Sequence, residues 1–357
     1  MKIKNLKNIL QHLHKIEPFQ DLELSNVTEI HSRGLAHDHV KLGDTGWILR
    51  IPRGNQLGMT DEAYLKLQNT IFQRAAASKR TPDILGTIVP NDDLPHGALI
   101  VQYIKGRNIQ SEQDLNAVAE CLGQIHKLPV PVFTNPLEKS NSPLSGQLFL
   151  LDEVFKGAFD HDSLSHETKK LLKEEYQHLK TKLRQLNGQN LPFSLIGGDS
   201  HLGNYLIGEN GKAYMVDLEF ASYDLSLIDL ADACLSITSE LDPDIGVVPS
   251  PEKITAFYQT WKNTVGSEMA NALKPAIKTT EQLVQLRTLA WLCYWQAEGQ
   301  HKEKSKVSPG SFKNWNRMAK HYLDPKNLAP LLGAQQKRST SLNNNNKKTS
   351  AKSAFKR

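Results

Sequence analysis

The sequence predicts an α+β protein of two lobes, a small β-rich amino-terminal lobe and a larger helical carboxy-terminal lobe. Short apolar runs separated by turn residues dominate 25–105, which is the pattern of paired strands. From residue 111 onward the apolar residues recur mainly at three- and four-residue spacing, which indicates helices. Within that helical part, 194–219 combines a glycine-rich polar loop with a hairpin signal. We therefore expect lobes over 1–105 and 106–333.

The composition bounds the class of protein. The chain has 357 residues, 39% of them hydrophobic and 23% charged, which is typical of a globular protein. No apolar run approaches the roughly 20 residues that a membrane span needs, and the first residues lack the apolar region of a secretory signal. The three cysteines lie far apart in apolar helical patterns, which argues against a disulfide framework or a zinc site. We expect a cytoplasmic protein with no membrane span.

The positive charge of the chain belongs to its last residues. The formal net charge is +5, yet 334–357 holds seven basic residues and no acidic ones. Subtracting those seven charges leaves the rest of the chain at −2, so the body carries no basic stripe of the kind that a specific nucleic-acid site needs. The tail also holds four consecutive asparagines and cannot bury a core, so we expect it to be disordered. A solvated tail is the default interpretation, and electrostatic contact with polyanions is the alternative.

Strand signals account for most of the amino-terminal lobe. Helical spacing of Leu6, Ile9, Leu10 and Leu13 predicts a first helix, and the pattern changes after Pro18. A second helix is predicted from about residue 62, after the third strand. The predicted strands are 27–30, 39–42, 47–51, 84–89 and 98–104.

Helices dominate the carboxy-terminal lobe. A loop with four prolines over 129–143 follows the first of them. Ser226-x-x-Asp229 predicts a capping box, so Asp229 is interpreted as a cap and scaffold residue. The predicted helices begin at 111, at about 144 and 165, and at 226, and one includes 286–296.

Three polar side chains in the central stretch suit phosphoryl transfer. Asp199 lies in the polar loop, Asn204 follows five residues later, and Asp217 ends the hairpin. A loop aspartate can accept the proton of an attacking hydroxyl, while an asparagine and a second aspartate can hold Mg²⁺ against the phosphates of a nucleotide. A polar turn region with capping side chains is the alternative. The order of the three residues, together with the hairpin, favours phosphoryl transfer.

The loop resembles that of a known superfamily. The sequence G-D-S-H-L-G-N over 198–204 resembles the G-D-x-H-x-G-N loop of the aminoglycoside phosphotransferases and choline kinases, and V-D-L-E over 216–219 is similar to their I-D-F-E segment. The resemblance implies a protein-kinase-like fold that transfers phosphate from ATP to a small-molecule hydroxyl. It implies Asp199 as catalytic base, with Asn204 and Asp217 as Mg²⁺ ligands. The family usually has histidine where this chain has Gly197, which leaves a degenerate nucleotide-binding pseudokinase or scaffold as the alternative.

The resemblance extends to the predicted nucleotide site. Arg50, in the L-R-I run of the third strand, stands where kinases carry the lysine that grips the α- and β-phosphates, and a guanidinium can replace it. Glu62 opens the next helix and is either the ion-pair partner of Arg50 or an acid favoured by the helix macrodipole. The backbone of Gln102 to Ile104 corresponds to the hinge that binds adenine. Gly34 is either part of a loop over the nucleotide or an ordinary turn glycine.

The sequence says least about the identity of the acceptor substrate. Trp291 and Trp295 lie four residues apart on one helix face, and choline kinases have a comparable W-x-x-x-W helix. Such an aromatic wall attracts a quaternary ammonium group through cation–π interaction, although paired aromatics at this spacing also occur in cores. Together with Glu219, these residues are the acceptor candidates. They favour choline or ethanolamine, with an aminoglycoside or a sugar left open.

Overall fold

The computed structural model of the protein describes residues 5–30, 36–54, 58–302 and 307–333. It confirms the predicted α+β architecture, with an antiparallel sheet in the amino-terminal region and helices in the carboxy-terminal region. The predicted loop glycine Gly34 and the basic tail lie outside the described residues. None of the described helices is long and apolar enough to cross a membrane.

A five-stranded antiparallel sheet in the order β1-β2-β3-β5-β4 forms the amino-terminal region. Across the β2–β3 pair, His39 lies opposite Arg50. Because directly opposed residues point to the same face of a sheet, and so do residues two apart on one strand, His37 also shares the face of Arg50. The strands of this sheet are β1 (Val27–Ile30), β2 (His37–Leu42), β3 (Trp47–Pro52), β4 (Ile84–Ile88) and β5 (Ala98–Gln102).

Two small sheets carry the functional loops of the helical lobe. One pairs β7 with β10, and the other has the order β6-β8-β9. The loop after β7 and the loop after β9 therefore emerge next to each other, because β8 and β9 form a hairpin. The strands are β6 (Gly106–Asn108), β7 (Ser194–Ile196), β8 (Tyr205–Gly208), β9 (Ala213–Met215) and β10 (Ser222–Asp224).

Most of the predicted helices are present within a few residues of their expected bounds. The longest is α5, whose Ser165 cap accepts a hydrogen bond from Thr168 N. A π-helical segment, Trp295–Gly299, interrupts the chain directly after α10. The helices are α1 (Leu6–Leu13), α2 (Asp61–Ala76), α3 (Leu115–His126), α4 (Ser145–Asp160), α5 (His166–Leu186), α6 (Leu227–Cys234), α7 (Ser236–Ser239), α8 (Pro251–Val265), α9 (Ser267–Leu273), α10 (Ile277–Tyr294), α11 (Gln300–Lys302) and α12 (Pro309–Tyr322).

Two hydrophobic clusters hold the described part of the chain together. The smaller one packs α1 against one face of the five-stranded sheet, with Ile9, Leu13 and Phe19 among its members. The larger one includes Ile71 and Phe72 of α2 and continues through the helical lobe. Helix α2 therefore shares its core with the helical lobe, although it is inserted between strands of the sheet.

The last turn of α2 is fastened to the proline-rich loop. Arg74 donates to the carbonyl oxygens of Thr134 at 2.5 Å, Asn135 at 2.8 Å and Phe133 at 3.4 Å. Its guanidinium also lies 5.8 Å from the ring centroid of Tyr223. Hydrogen bonds from a charged donor are stronger than neutral ones, so this contact fixes α2 relative to the helical lobe.

Candidate active site

The three residues of the predicted catalytic motif lie at neighbouring positions. Asn204 Nδ2 donates to the carbonyl oxygen of Asp199 at 2.7 Å, and Val216 N donates to the carbonyl oxygen of Asn204 at 2.9 Å. These bonds connect the loop after β7 to the segment that carries Asp217. Asn204 Oδ1 remains as the amide oxygen for a cation, and the Asp199 side chain is 44% exposed, open to a substrate hydroxyl.

Arg50 joins the sheet to this segment. Its Nη2 donates to Asp217 Oδ1 at 2.6 Å, and its Nη1 donates to the carbonyl oxygen of Val216 at 2.9 Å. The Arg50 side chain is buried. Burial acts to raise the pKa of Asp217, but the charge of Arg50, the hydrogen bond from Arg50 and the neighbouring His37 together outweigh it and hold that pKa well below its usual range. Asp217 is therefore ionised, as a metal ligand must be.

The predicted ion pair between Arg50 and Glu62 is not present. Glu62 is exposed in the first turn of α2, and within the described residues no ion pair or hydrogen bond joins it to Arg50. The first turn is where the helix macrodipole favours acidic residues, which was the alternative interpretation of Glu62. The correction is that Arg50 pairs with Asp217, across the interface between the sheet and the helical lobe.

Glu219 and His37 complete a cluster around Arg50 that sequence reasoning missed. His37 is buried on β2, and its Nδ1 lies 3.0 Å from Arg50 Nη2 and 3.9 Å from Glu219 Oε2. One ligand atom each from His37, Asp217 and Glu219 lies within 4.8 Å of the others. Burial, and then the charge of Asp217, raises the pKa of Glu219 to about 8. In this structure Glu219 therefore lies beside His37 and Asp217, whereas the sequence suggested it as an acceptor candidate.

A buried hydrogen-bond network joins the loop after β7 to helix α6. Asp229 on α6 accepts from Gly197 N at 2.8 Å and from Gly198 N at 3.0 Å. Its Oδ2 also lies 3.0 Å from His126 Nε2, and Trp261 Nε1 donates to His126 Nδ1 at 3.0 Å. The tryptophan can only donate, so His126 holds its proton on Nε2 and donates it to Asp229. Asp229 is thus the predicted scaffold residue, but its carboxylate serves the loop, and α6 has no side-chain cap.

The surroundings of Gly197 leave little room for the histidine that the family usually has at this position. A Cβ atom at this residue would lie 2.7 Å from Met215 Sδ and 2.8 Å from Ser200 Oγ. Gly198 follows with φ at +79°, and a Cβ there would lie 2.5 Å from the carbonyl oxygen of Phe220. The volume that a larger residue would need is occupied. Because Asp229 supports the backbone of both glycines, the loop keeps its anchor without the histidine.

We expect Gly197→His to destabilise the protein by about 1–3 kcal/mol, since overpacking a filled site costs that much. The free energy of unfolding in urea measures the effect. Met215→Ala in the same chain removes the closest neighbour, so the double variant should recover part of the loss. A Gly197→His protein as stable as the wild type would contradict this account of the loop.

A second anchor comes from α10. Arg287 donates to the carbonyl oxygen of Gly198 at 2.9 Å, to Gln147 Oε1 at 2.9 Å, and to both carboxylate oxygens of Asp232. Burial raises the pKa of Asp232 to about 6, against the lowering effect of Arg287. The sequence gives little signal for this pair, because Arg287 stands within an apolar helical run.

The two acceptor tryptophans have different environments. Trp295 is fully buried, stacks on Trp291 with ring centroids 5.8 Å apart, and donates from Nε1 to Asn316 Oδ1 at 2.9 Å. The ring of Trp315 meets both edge to face, at 4.9 Å from Trp291 and 5.0 Å from Trp295. Trp295 is therefore a core residue here, which corrects its prediction as an acceptor contact. Trp291 is partly exposed and lies one helical turn beyond Arg287, so it remains a candidate.

The structure reduces the number of backbone donors in the segment 102–104 that was predicted to contact adenine. Gln102 N donates to the carbonyl oxygen of Asp83 at 2.8 Å, and Tyr103 N donates to that of Gly46 at 2.8 Å. Both amide donors are thus committed to the sheet and its turn. The backbone amide of Gln102 therefore cannot donate to a nucleotide in this arrangement, which leaves that of Ile104 as the candidate donor in the segment after β5.

The comparisons agree with this geometry. The protein-family model described as a phosphotransferase enzyme family matches residues 27–248, so the chain belongs to that family. The fold is protein-kinase-like, and its solved neighbours are the choline kinases and aminoglycoside phosphotransferases that the loop motifs indicated. No curated protein sequence matches the chain.

Three solved structures illustrate the similarity of fold. Choline kinase from Cryptosporidium parvum Iowa II is 15% identical with a TM-score of 0.61, over 92% of this chain and 97% of that one. Plasmodium vivax ethanolamine kinase is 12% identical with a TM-score of 0.61, over 94% of each chain. Spectinomycin phosphotransferase in complex with ADP and spectinomycin is 12% identical with a TM-score of 0.55, over 92% of this chain and 98% of that one.

Proposed function

We propose that this chain transfers the γ-phosphate of ATP to a hydroxyl group of a small molecule, with a divalent cation such as Mg²⁺. The observation that carries the proposal is the convergence of Asp199, Asn204 and Asp217, with Arg50 against Asp217. The Asn204 side chain donates to the carbonyl oxygen of Asp199, and the amide of Val216, next to Asp217, donates to that of Asn204. In this proposal Asp199 accepts the proton of the acceptor hydroxyl as that oxygen attacks the γ-phosphorus, and ADP is the leaving group. Arg50 holds the phosphates, and Ile104 contacts adenine.

The donor set suits a divalent cation. Asn204 Oδ1 and Asp217 supply the oxygen ligands that Mg²⁺ prefers, and Glu219 Oε2 is a buried oxygen without a hydrogen-bond partner among the described residues. When bound, the cation neutralises charge on the transferred phosphate. In this structure the guanidinium of Arg50 lies against Asp217 and supplies the positive charge beside this carboxylate.

Replacing Asp217 by asparagine should abolish Mg²⁺-dependent nucleotide binding while metal-free binding through Arg50 persists. Asparagine still accepts a hydrogen bond, so it leaves the buried Arg50 with a partner, which alanine would not. Calorimetric titration with a non-hydrolysable ATP analogue, with and without Mg²⁺, measures the difference. Asp92→Asn, in an exposed turn, is the control. Equal Mg²⁺-dependent affinity in the Asp217 variant and the wild type would remove Asp217 from the metal site.

For the acceptor, we propose a choline- or ethanolamine-type amino alcohol before an aminoglycoside or a sugar. Trp291 supports this choice, because a partly exposed indole one turn from Arg287 offers a π face near the catalytic loop. The test is consumption of ATP against a panel of hydroxyl acceptors of the three classes. Consumption with sugars alone would overturn the amino-alcohol proposal and keep phosphotransfer.

The rival function is a nucleotide-binding pseudokinase. It rests on the missing histidine at Gly197 and on the unremarkable nucleotide loop. The hydrogen bonds from Gly197 and Gly198 to Asp229 support phosphotransfer against it, because they hold the loop without that side chain. Nucleotide binding with no phosphotransfer to any acceptor in the panel would favour the rival. We place the activity in the cytoplasm, where the three buried free cysteines stay reduced.

A further inference from the structure

The guanidinium of Arg50 occupies a place between metal-binding atoms. Its Nη2 lies 2.6 Å from Asp217 Oδ1 and 3.0 Å from His37 Nδ1. Glu219 Oε2 faces the same point, 3.9 Å from His37 Nδ1. The three potential ligand atoms all lie within 4.8 Å of one another, a separation that one ion can bridge. A cationic group therefore already lies against an imidazole nitrogen and a carboxylate oxygen of this three-residue cluster.

The hydrogen bonds fix which histidine atom faces this point. A guanidinium only donates, so His37 Nδ1 must accept and must carry its lone pair toward Arg50. A lone pair on a neutral imidazole nitrogen is the form that binds a metal ion. Glu219 Oε2 is buried and has no hydrogen-bond partner among the described residues. Once Arg50 moves away, His37 Nδ1 and Glu219 Oε2 are therefore both available to bind an ion.

The donor chemistry differs from that of an all-oxygen site. Mg²⁺ prefers oxygen ligands and octahedral geometry, and it rarely takes imidazole. Transition-metal ions bind imidazole and carboxylate together, and Mn²⁺ is the one among them that shares the oxygen ligands of Mg²⁺, so a mixed nitrogen and oxygen set favours it over Mg²⁺. A histidine at this place in the cluster therefore changes which ion is favoured, without changing the charge of the site.

We propose that His37 Nδ1 is a direct ligand of the divalent cation, together with Asp217 and Glu219, and that this nitrogen makes the site select Mn²⁺ over Mg²⁺. The inference rests on the proposed function in one respect, that nucleotide phosphates draw Arg50 out of the cluster. Because Arg50 and the ion cannot occupy the same point, the ion binds weakly alone and tightly with nucleotide. The simpler alternative is that His37 only orients Arg50 by accepting its hydrogen bond.

Pulsed electron paramagnetic resonance on the tag-free wild-type protein with Mn²⁺ and ADP tests the coordination directly. A ¹⁴N modulation from a bound imidazole is expected, and it should change to the ¹⁵N pattern when histidine is ¹⁵N-labelled. The signal should vanish in His37→Gln and persist in His39→Gln. His39 is the matched control, because it lies on the same strand and face, 6.4 Å away between ring centroids, outside the three-ligand cluster. No ¹⁴N modulation in the wild type at saturating Mn²⁺ and ADP would overturn the proposal.

Calorimetry of Mn²⁺ and Mg²⁺ binding in the presence of ADP measures the selectivity. The wild type should prefer Mn²⁺ by at least about tenfold beyond the preference of free ADP. His37→Gln should lose that excess, since even ligand-supporting changes cost roughly 10- to 100-fold in metal affinity. If His37 only orients Arg50, the variant weakens binding equally with both ions, and the proposal fails. Melting temperature shows that each variant is folded.

Activity distinguishes this inference from the proposed function. Selective, histidine-dependent Mn²⁺ binding with no phosphotransfer to any acceptor would keep the metal site and refute the enzyme. Phosphotransfer whose rates with Mn²⁺ and Mg²⁺ stand in the same ratio in the wild type and in His37→Gln would keep the enzyme and refute the histidine ligand.

Discussion

Asp199→Asn is expected to lower turnover by at least about 10², because a positioned general base contributes typically 10²- to 10⁴-fold. Nucleotide affinity should stay close to that of the wild type. The reason lies in the contacts of Asp199: its side chain is 44% exposed, and the ion pair with His201 is long, at 3.9 Å. The Asn204 hydrogen bond reaches the backbone of Asp199, which the substitution keeps. Steady-state kinetics with the preferred acceptor, together with calorimetry for ADP, provide the measurements.

A second variant distinguishes a role in the reaction from a role in holding the loop. Asp229→Asn alters the buried carboxylate that holds the loop amides, so it should reduce turnover and melting temperature together. Asp199→Asn should reduce turnover alone. An Asp199→Asn enzyme with unchanged turnover would exclude it as the base, and a large loss of stability in that variant would mean a structural role instead.

Trp295→Ala should cost about 3–5 kcal/mol in the free energy of unfolding, the usual range for removing a large buried aromatic side chain. The ring is fully buried, stacks on Trp291, meets Trp315 edge to face, and loses the bond to Asn316 on truncation. Urea unfolding measures the loss. Once the protein is folded, KM for the acceptor should change no more than KM for ATP.

Trp291→Ala is the matched variant on the same helix face. Because this ring is partly exposed, its removal should cost less stability. If it lines the acceptor site, KM for a cationic acceptor should rise roughly 5- to 30-fold, as cation–π contacts of ~1–2 kcal/mol imply. A stable Trp295→Ala protein with a selectively raised acceptor KM would contradict the assignment of Trp295 to the core.

Local patterns predicted the elements because their causes are local. Alternation and helical spacing located the strands of the sheet and the helices, since each pattern reports which face of an element is buried. The motif from Asp199 to Asp217 was also readable, because one loop and one hairpin hold its three residues within twenty positions of the chain.

The remaining site residues could not be predicted because their partners are distant in sequence. Arg50 meets Asp217 across 167 positions, and Arg287 meets Gly198 across 89. Nothing near Arg50 distinguished Asp217 from Glu62 as its partner. Trp291 and Trp295 lie on one helix face but differ in exposure. Trp315 of α12 meets both rings, while Asn316 and Phe312 of the same helix also contact Trp295.

The attachment of α2 has a consequence for how the cleft opens. Arg74 binds three carbonyl oxygens of the proline-rich loop, and the apolar face of the helix belongs to the larger cluster. Swinging the helix outward would break charge-assisted hydrogen bonds of about 1.5–3 kcal/mol each and expose Ile71 and Phe72. Arg50, by contrast, is carried by the sheet, so any movement of β3 away from the helical lobe must break its hydrogen bonds to Asp217 and to the carbonyl oxygen of Val216.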